Sequence, residues 1–160
     1  MVRLTDPQFK KNWRYYLLQS LAGAIMVTLL LTMTAIIDSH VVLAALGASI
    51  FIAVAFPHAK SSHARYFIGG YLCGIVSGVI GIVVYFVIPG ISEHIAAGIA
   101  VGICILLMVA LEAEHPPAAG LTLGFVLSPY NLDAMIIALC CVGVISVLLH
   151  FCRPYMKDLL

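Results

Sequence analysis

Apolar residues run along this chain in long blocks separated by short polar stretches. The pattern shows neither the alternation of a half-buried strand nor the mixed faces of a soluble helix. Four blocks reach the length of about 17–25 residues that a spanning helix needs: about Tyr15–Ile37, Phe67–Ile88, Ile95–Leu111 and Asp133–Phe151. Two more, Val41–Phe56 and Pro117–Leu127, are short. At about 1.5 Å per residue they fall below a hydrocarbon core of about 30 Å. Irregular backbone is not tolerated against lipid, so the short segments are expected to tilt, to sit inside the bundle or to line a wet cavity. The pattern predicts an all-α integral membrane protein with six membrane segments, four full-length helices plus two short ones.

The short segments take matching places, second in each set of three. Sliding the chain by 75 residues lays Ala22, Gly23, Leu31, Met33, Ala35 and His40 on Ala97, Gly98, Leu106, Met108, Ala110 and His115. A slightly smaller shift matches Pro57, after the first short segment, with Pro129, after the second. We read two three-segment repeats, about 15–88 and 91–152. Three crossings each would make them inverted, an arrangement that places transport sites at the repeat interface near the midplane. Gly70, Gly74 and Gly78 recur every four residues, as do Gly98 and Gly102. Glycines so spaced share a helix face and allow close backbone approach, within one chain or in a homo-oligomer.

Composition agrees. Hydrophobic residues make up 63% and charged residues 9% of the chain, against about 45–50% and 25% in soluble domains. A net charge of +1 offers no basic face for nucleic acid. With the N-terminus inside, six crossings put all eight Lys and Arg on the cytoplasmic side: four before the first helix, then Lys60, Arg65, Arg153 and Lys157. This is a positive-inside pattern with both termini cytoplasmic. Four spans with two re-entrant segments would put Lys60 and Arg65 outside. Trp13, Tyr15 and Tyr16 fall where an aromatic interface belt belongs. The first apolar run is longer than the 7–15 residues or so of a signal-peptide core, so it reads as a retained helix in a bacterial inner membrane. The organisation is a cytoplasmic segment 1–14, a membrane domain 15–152 and a cytoplasmic tail 153–160. The five cysteines read as small buried hydrophobes.

The stretch richest in chemistry is Glu112-Ala-Glu114-His115-Pro116-Pro117-Ala118-Ala119-Gly120. Two prolines do not fit a helix interior but suit a first turn, so one helix ends before His115 and another begins at Pro116 or Pro117. The N–H groups of Ala118, Ala119 and Gly120 would then open a helix N-terminus, a ready anion site. His115 would sit beside it and add a donor, or a full charge when protonated. The matching place in the first repeat has His40, then Gly47-Ala48-Ser49. These ten positions, His115 to Gly120 with His40 and Gly47 to Ser49, are the candidate substrate-binding residues. Glu112 and Glu114 are expected to be solvated loop acids, or to pair with Lys60 or Arg65. A metal site on Glu112, Glu114 and His115 is the competing reading, but the spacing is not a recognised ligand pattern. No cofactor is expected. Nothing resembles a nucleophile with its base, a nucleotide loop or a redox pair, so an enzyme is not expected.

At Glu114–Gly120 the chain resembles the HPP family of integral membrane proteins, named for this motif. Gly47-Ala48-Ser49, Pro57, and Arg65 followed by Gly69-Gly70 support the resemblance. It implies a single membrane domain, usually described with four helices, and some plastid and cyanobacterial members are implicated in nitrite transport. The family's loop often reads SPxAQPRN; here it is Pro57-His-Ala-Lys-Ser-Ser-His-Ala-Arg65, so only part survives. The expectation is a transporter or channel for a small inorganic anion, with nitrite the leading substrate. The alternative is a non-transporting membrane scaffold or metal-binding module.

Overall fold

The computed structural model describes residues 8–33, 40–128 and 132–159. Arg3, Ala35, Ile37 and the connectors at Asp38 and Pro129 lie outside the described residues. The chain forms six α-helices: α1 (Phe9–Met33), α2 (His40–Ala55), α3 (Ala64–Val87), α4 (Glu93–Ala110), α5 (Pro117–Leu127) and α6 (Leu132–Cys152). Short 3-10 turns follow at Lys60–Ser62 and Arg153–Tyr155. Among the described residues there is no strand. The expected six segments are all present. Helix α1 starts at Phe9 rather than near Tyr15, and α3 at Ala64 rather than Phe67. Hydropathy marks where lipid begins, whereas a helix continues into the interface because water can serve its first turns.

Helices α1, α3, α4 and α6 are long and apolar enough to cross a membrane. Their outer faces expose Leu17 and Leu21, Val76 and Phe86, Leu106 and Val109, and Val147 and Phe151, as lipid contact requires. The short helices α2 and α5 span about 24 Å and 16 Å and pack on each other inside the bundle. They run antiparallel: Ser49 meets His115, Ala45 faces Gly120, and Val41 and Val42 lie against Gly124. A four-helix count and a six-segment count are therefore the same fold, four spanning helices around two short ones.

The α3 glycines serve contacts within the chain. A Cβ on Gly70 would sit 2.5 Å from the His115 Cβ, and one on Gly74 2.8 Å from the Ala118 carbonyl oxygen. Gly78 accommodates Phe125, and Gly81 fits against Ala100 and Val126. Gly98 and Gly102, by contrast, have open space around them on the outer face of α4. Three cysteines are buried, but Cys140 and Cys152 are exposed, which corrects the expectation for those two. They lie on the outer face of α6, where a thiol is as acceptable as an aliphatic group.

The tail folds back across one end of the bundle. The buried Gln19 amide donates to the carbonyls of Val54 (2.7 Å) and Lys157 (2.9 Å) and accepts from the Lys157 N–H (3.0 Å). The Tyr16 hydroxyl donates to the Leu159 carbonyl at 2.7 Å, and the Lys157 ammonium lies 4.2 Å over the Tyr15 ring. Arg153 donates from Nε to the Pro57 carbonyl at 2.7 Å. These contacts gather the start of α1, the α2–α3 loop and the tail at one end, with the described Lys and Arg residues. Lys60 and Arg65 thus lie at the same end as the start of α1, contrary to the re-entrant alternative.

Gly70→Val should lower the melting temperature of the detergent-solubilised protein, at an overpacking cost of about 1–3 kcal/mol or more. Gly98→Val should leave it nearly unchanged. Equal effects of the two would contradict the assignment of close backbone contact to α3.

Candidate functional site

Helix α4 ends in a complete Schellman motif. The Ala113 N–H reaches the Met108 carbonyl at 2.8 Å and the Glu112 N–H reaches Val109 at 3.3 Å. Glu112 occupies the left-handed position with φ 47°, a place that glycine usually takes. The chain then turns inward. Glu114 points back to the surface, where its carboxylate lies 3.6 Å from the Lys60 ammonium, as one sequence expectation had it. Such an exposed pair adds little stability.

His115 goes the other way and is completely buried. Its Nε2 lies 2.8 Å from the Ser49 Oγ, and its Nδ1 lies 3.3 Å from the Ser61 carbonyl oxygen. The Ser49 Oγ is also 2.8 Å from the Tyr71 hydroxyl and 3.1 Å from the Ala45 carbonyl. The proton order follows from these partners. A carbonyl only accepts, so Nδ1 carries the proton and Nε2 presents a lone pair. Ser49 donates to Nε2, and Tyr71 donates to Ser49. The result is a directed chain, Tyr71 to Ser49 to His115 to Ser61, that joins α3, α2, the α4–α5 connection and the turn after α2. The Phe67 ring stacks over the imidazole with centroids 4.3 Å apart. Burial pushes the imidazole pKa down to about 4, against a smaller opposing pull from the Ser61 carbonyl. At neutral pH the ring is uncharged.

The start of α5 differs from expectation. Pro117 opens the helix as anticipated, but the Ala118 N–H already donates to the His115 carbonyl (2.9 Å) and the Ala119 N–H to Pro116 (3.1 Å). Two of the three donors expected to face an anion are consumed by a tight first turn, because the proline pair brings these carbonyls into reach. Gly120 packs against Ala45. In the first repeat, His40 is exposed at the very start of α2, about 13 Å of helix rise from Ser49. Gly47 and Ala48 lie in mid-helix, where N–H groups bond within the helix, and Ala48 is exposed. Of that group only Ser49 reaches His115.

Three residues escaped the sequence reading. Tyr71 had a signal, a polar tip inside an apolar helix next to Gly70. Thr122 donates from its hydroxyl toward the Gly74 and Ala118 carbonyls, both at 3.0 Å, and tethers α5 to α3. Ser61 contributes only a backbone carbonyl, which no sequence pattern marks. The competing metal cluster does not assemble, since His115 points into the core and Glu114 away from it. Among the described residues no three His, Cys, Asp or Glu side chains group as metal ligands would.

The buried motif and the helices around it coincide with one family description. The model of the HPP transmembrane region matches residues 8–156. The chain belongs to the HPP family. No curated protein and no solved structure matches it. The HPP tripeptide thus has a structural role that can be stated in full: the imidazole locks three elements together, and the two prolines start α5 directly beside it.

Two outcomes follow. The folded imidazole pKa lies below its unfolded value of about 6.5, so between these values the unfolded state binds more protons and stability falls as pH drops. Thermal melts should show wild type losing stability from pH 7 to pH 4.5, roughly 3 kcal/mol at most, and His115→Gln losing distinctly less over that range. Glu112→Gly should raise the melting temperature by relieving the left-handed strain, worth about 1 kcal/mol; a drop would contradict the capping role.

Proposed function

We propose that this HPP protein is a transporter or channel for a small inorganic anion, with nitrite the leading substrate. The observation that carries the reading is the Tyr71–Ser49–His115 chain, buried where two short helices meet inside a bundle of spanning ones. Polar groups inside a membrane domain are costly and commonly line ion paths, and a site between paired short helices suits a transporter. The first donors of α5 are engaged, and so are the Ser49 and Tyr71 hydroxyls while His115 is neutral; a proton taken up at Nε2 would turn it from acceptor to donor and release the Ser49 hydroxyl to an anion. Pro116, Pro117, Ala118, Ala119 and Gly120 would keep the approach to His115 free of bulk. His40, Gly47 and Ala48 drop out of the reading. Several moderate hydrogen bonds suit an ion that must also leave.

The inverted repeat belongs to the same proposal. Exchanging the first three helices for the last three maps the α3–α5 contact onto α6–α2 and α4–α5 onto α1–α2, and returns α2–α5 and α3–α6 to themselves. The tight α3–α4 pair maps onto α6–α1, which an apolar groove of about 330 Å³ lined by Met26, Leu30, Ile137 and Cys141 holds apart. The basic end would face the cytoplasm of a bacterial cell with both termini inside. A second copy would dock on the open Gly98–Gly102 face of α4.

The test is nitrite flux into sealed proteoliposomes at pH 6 and pH 8, beside protein-free vesicles that report unaided nitrous acid entry. Wild type should exceed the empty vesicles, and Ser49→Ala and His115→Gln should cut the excess about tenfold or more. Wild-type flux no higher than that of empty vesicles would eliminate nitrite.

A further inference from the structure

A second polar constellation lies at the basic end of the bundle, outside the buried chain. The 3-10 turn Lys60–Ser62 leads into α3, and His63 stands at the helix N-cap. Its backbone carbonyl accepts from Tyr66 and Phe67, but its side chain gives no cap hydrogen bond. The first N–H groups of α3, on Ala64 and Arg65, are thus left without a side-chain cap, and they carry the positive end of the helix dipole. These residues border a cavity of about 240 Å³ whose other wall is the end of α6, with Ser146, Leu149 and His150, closed by Arg153. At roughly 30 Å³ per water, that space holds a small ion with part of its hydration shell.

Two buried polar atoms in this wall have no protein partner. Ser146 is 6% exposed, and its Oγ makes no hydrogen bond. The Arg153 Nη2 is likewise buried and unpaired, although Nε holds the Pro57 carbonyl and Nη1 lies 3.3 Å from the His63 Nδ1. Orphaned buried donors call for a ligand or water. A hydroxyl, a guanidinium fork and a helix N-terminus share one complement, an oxyanion. Among the described residues no carboxylate lines the cavity.

We propose that this cavity is a binding site for a small oxyanion, held by Ser146, Arg153 and the N-terminus of α3, with His63 in its wall. The choice of oxyanion class rests on the anion reading above, but the site itself does not require transport. Arg153 can only donate, so His63 accepts at Nδ1. The other charged groups nearby do not compete. Arg65 turns its guanidinium toward the Leu111 carbonyl at 3.5 Å, Lys60 pairs with Glu114, and Asp158 lies 3.6 Å from His58. His150, on α6, also lines the cavity. The cavity is one residue from the buried chain, since Ser62 lines it and Ser61 holds His115. An ion bound here would wait at the entrance to that chain.

The experiment is isothermal titration of the detergent-purified full chain with nitrite, nitrate and inorganic phosphate at pH 7. Binding of at least one anion is expected. Ser146→Ala should weaken it about tenfold, the loss of one hydrogen bond to a charged group, while leaving the melting temperature of the anion-free protein unchanged or higher. A merely structural serine would not separate the two readouts. The proposal fails if none of the three anions binds, if binding is indifferent to Ser146→Ala and Arg153→Lys, or if only vesicles containing phosphatidylglycerol compete for the site. Binding with these properties but without nitrite flux would retain the site and remove the transport reading. Flux with binding indifferent to both variants would do the reverse.

Discussion

The approach of α3 to the start of α5 sets the geometry of everything inside the bundle. An eleven-residue helix cannot cross a bilayer, and its ends would leave backbone groups unpaired against lipid. It is stable only when enclosed. Gly70 and Gly74 allow that enclosure, because the backbone of the second helix lies where a side chain would otherwise be. The Thr122 hydroxyl then reaches the Gly74 carbonyl, and His115 drops into a space bounded by Phe67 and Tyr71. Close backbone contact replaces the hydrophobic drive that lipid does not supply between helices.

The buried hydrogen-bond chain depends on that packing. Each of its members uses a partner from another element, so it forms only when α2, α3 and the α4–α5 connection are all docked. Its polar atoms are costly to bury and strongly directional once paired. Such a junction fixes one arrangement of the two short helices. It also holds the only fully buried imidazole among the described residues, uncharged, within reach of two hydroxyl groups. The atoms that fix the fold are the ones proposed to meet an anion or a proton.

At the basic end the opposite condition holds. Among the described residues the Ser146 Oγ and Arg153 Nη2 lack partners, the N-terminus of α3 has no side-chain cap, and no acid lines the cavity between them. The buried Tyr71–Ser49–His115 chain is paired and neutral, while the basic end is under-satisfied and positive. The tail contributes to this contrast, since Arg153 reaches the α2–α3 loop through the Pro57 carbonyl, and the strap from Lys157 to Leu159 fastens it to α1 and α2.

The fold was legible in the sequence because lipid imposes a simple rule. Block length separates spanning helices from short ones, prolines mark where α5 begins, and glycine spacing marks a contact face. These are local properties, and Pro117–Leu127 came out with its boundaries intact. The candidate site was legible only in part. Ser49 and His115 were singled out separately, from two matching positions, and packing alone brought them to hydrogen-bond distance. Hydrogen bonding was not readable, so the donors of Ala118 and Ala119 looked open although neighbouring carbonyls take them. His40 shared a repeat position with His115 but not its burial, because α2 continues nine residues beyond it before meeting the junction. Tyr71, the Ser61 carbonyl and the orphaned Ser146 hydroxyl acquire meaning only from what lies opposite them. Sequence determined which segments enter the membrane and where they break; the tertiary structure decided which polar groups are paired and which are left for a ligand, since that depends on contacts between residues far apart in the chain.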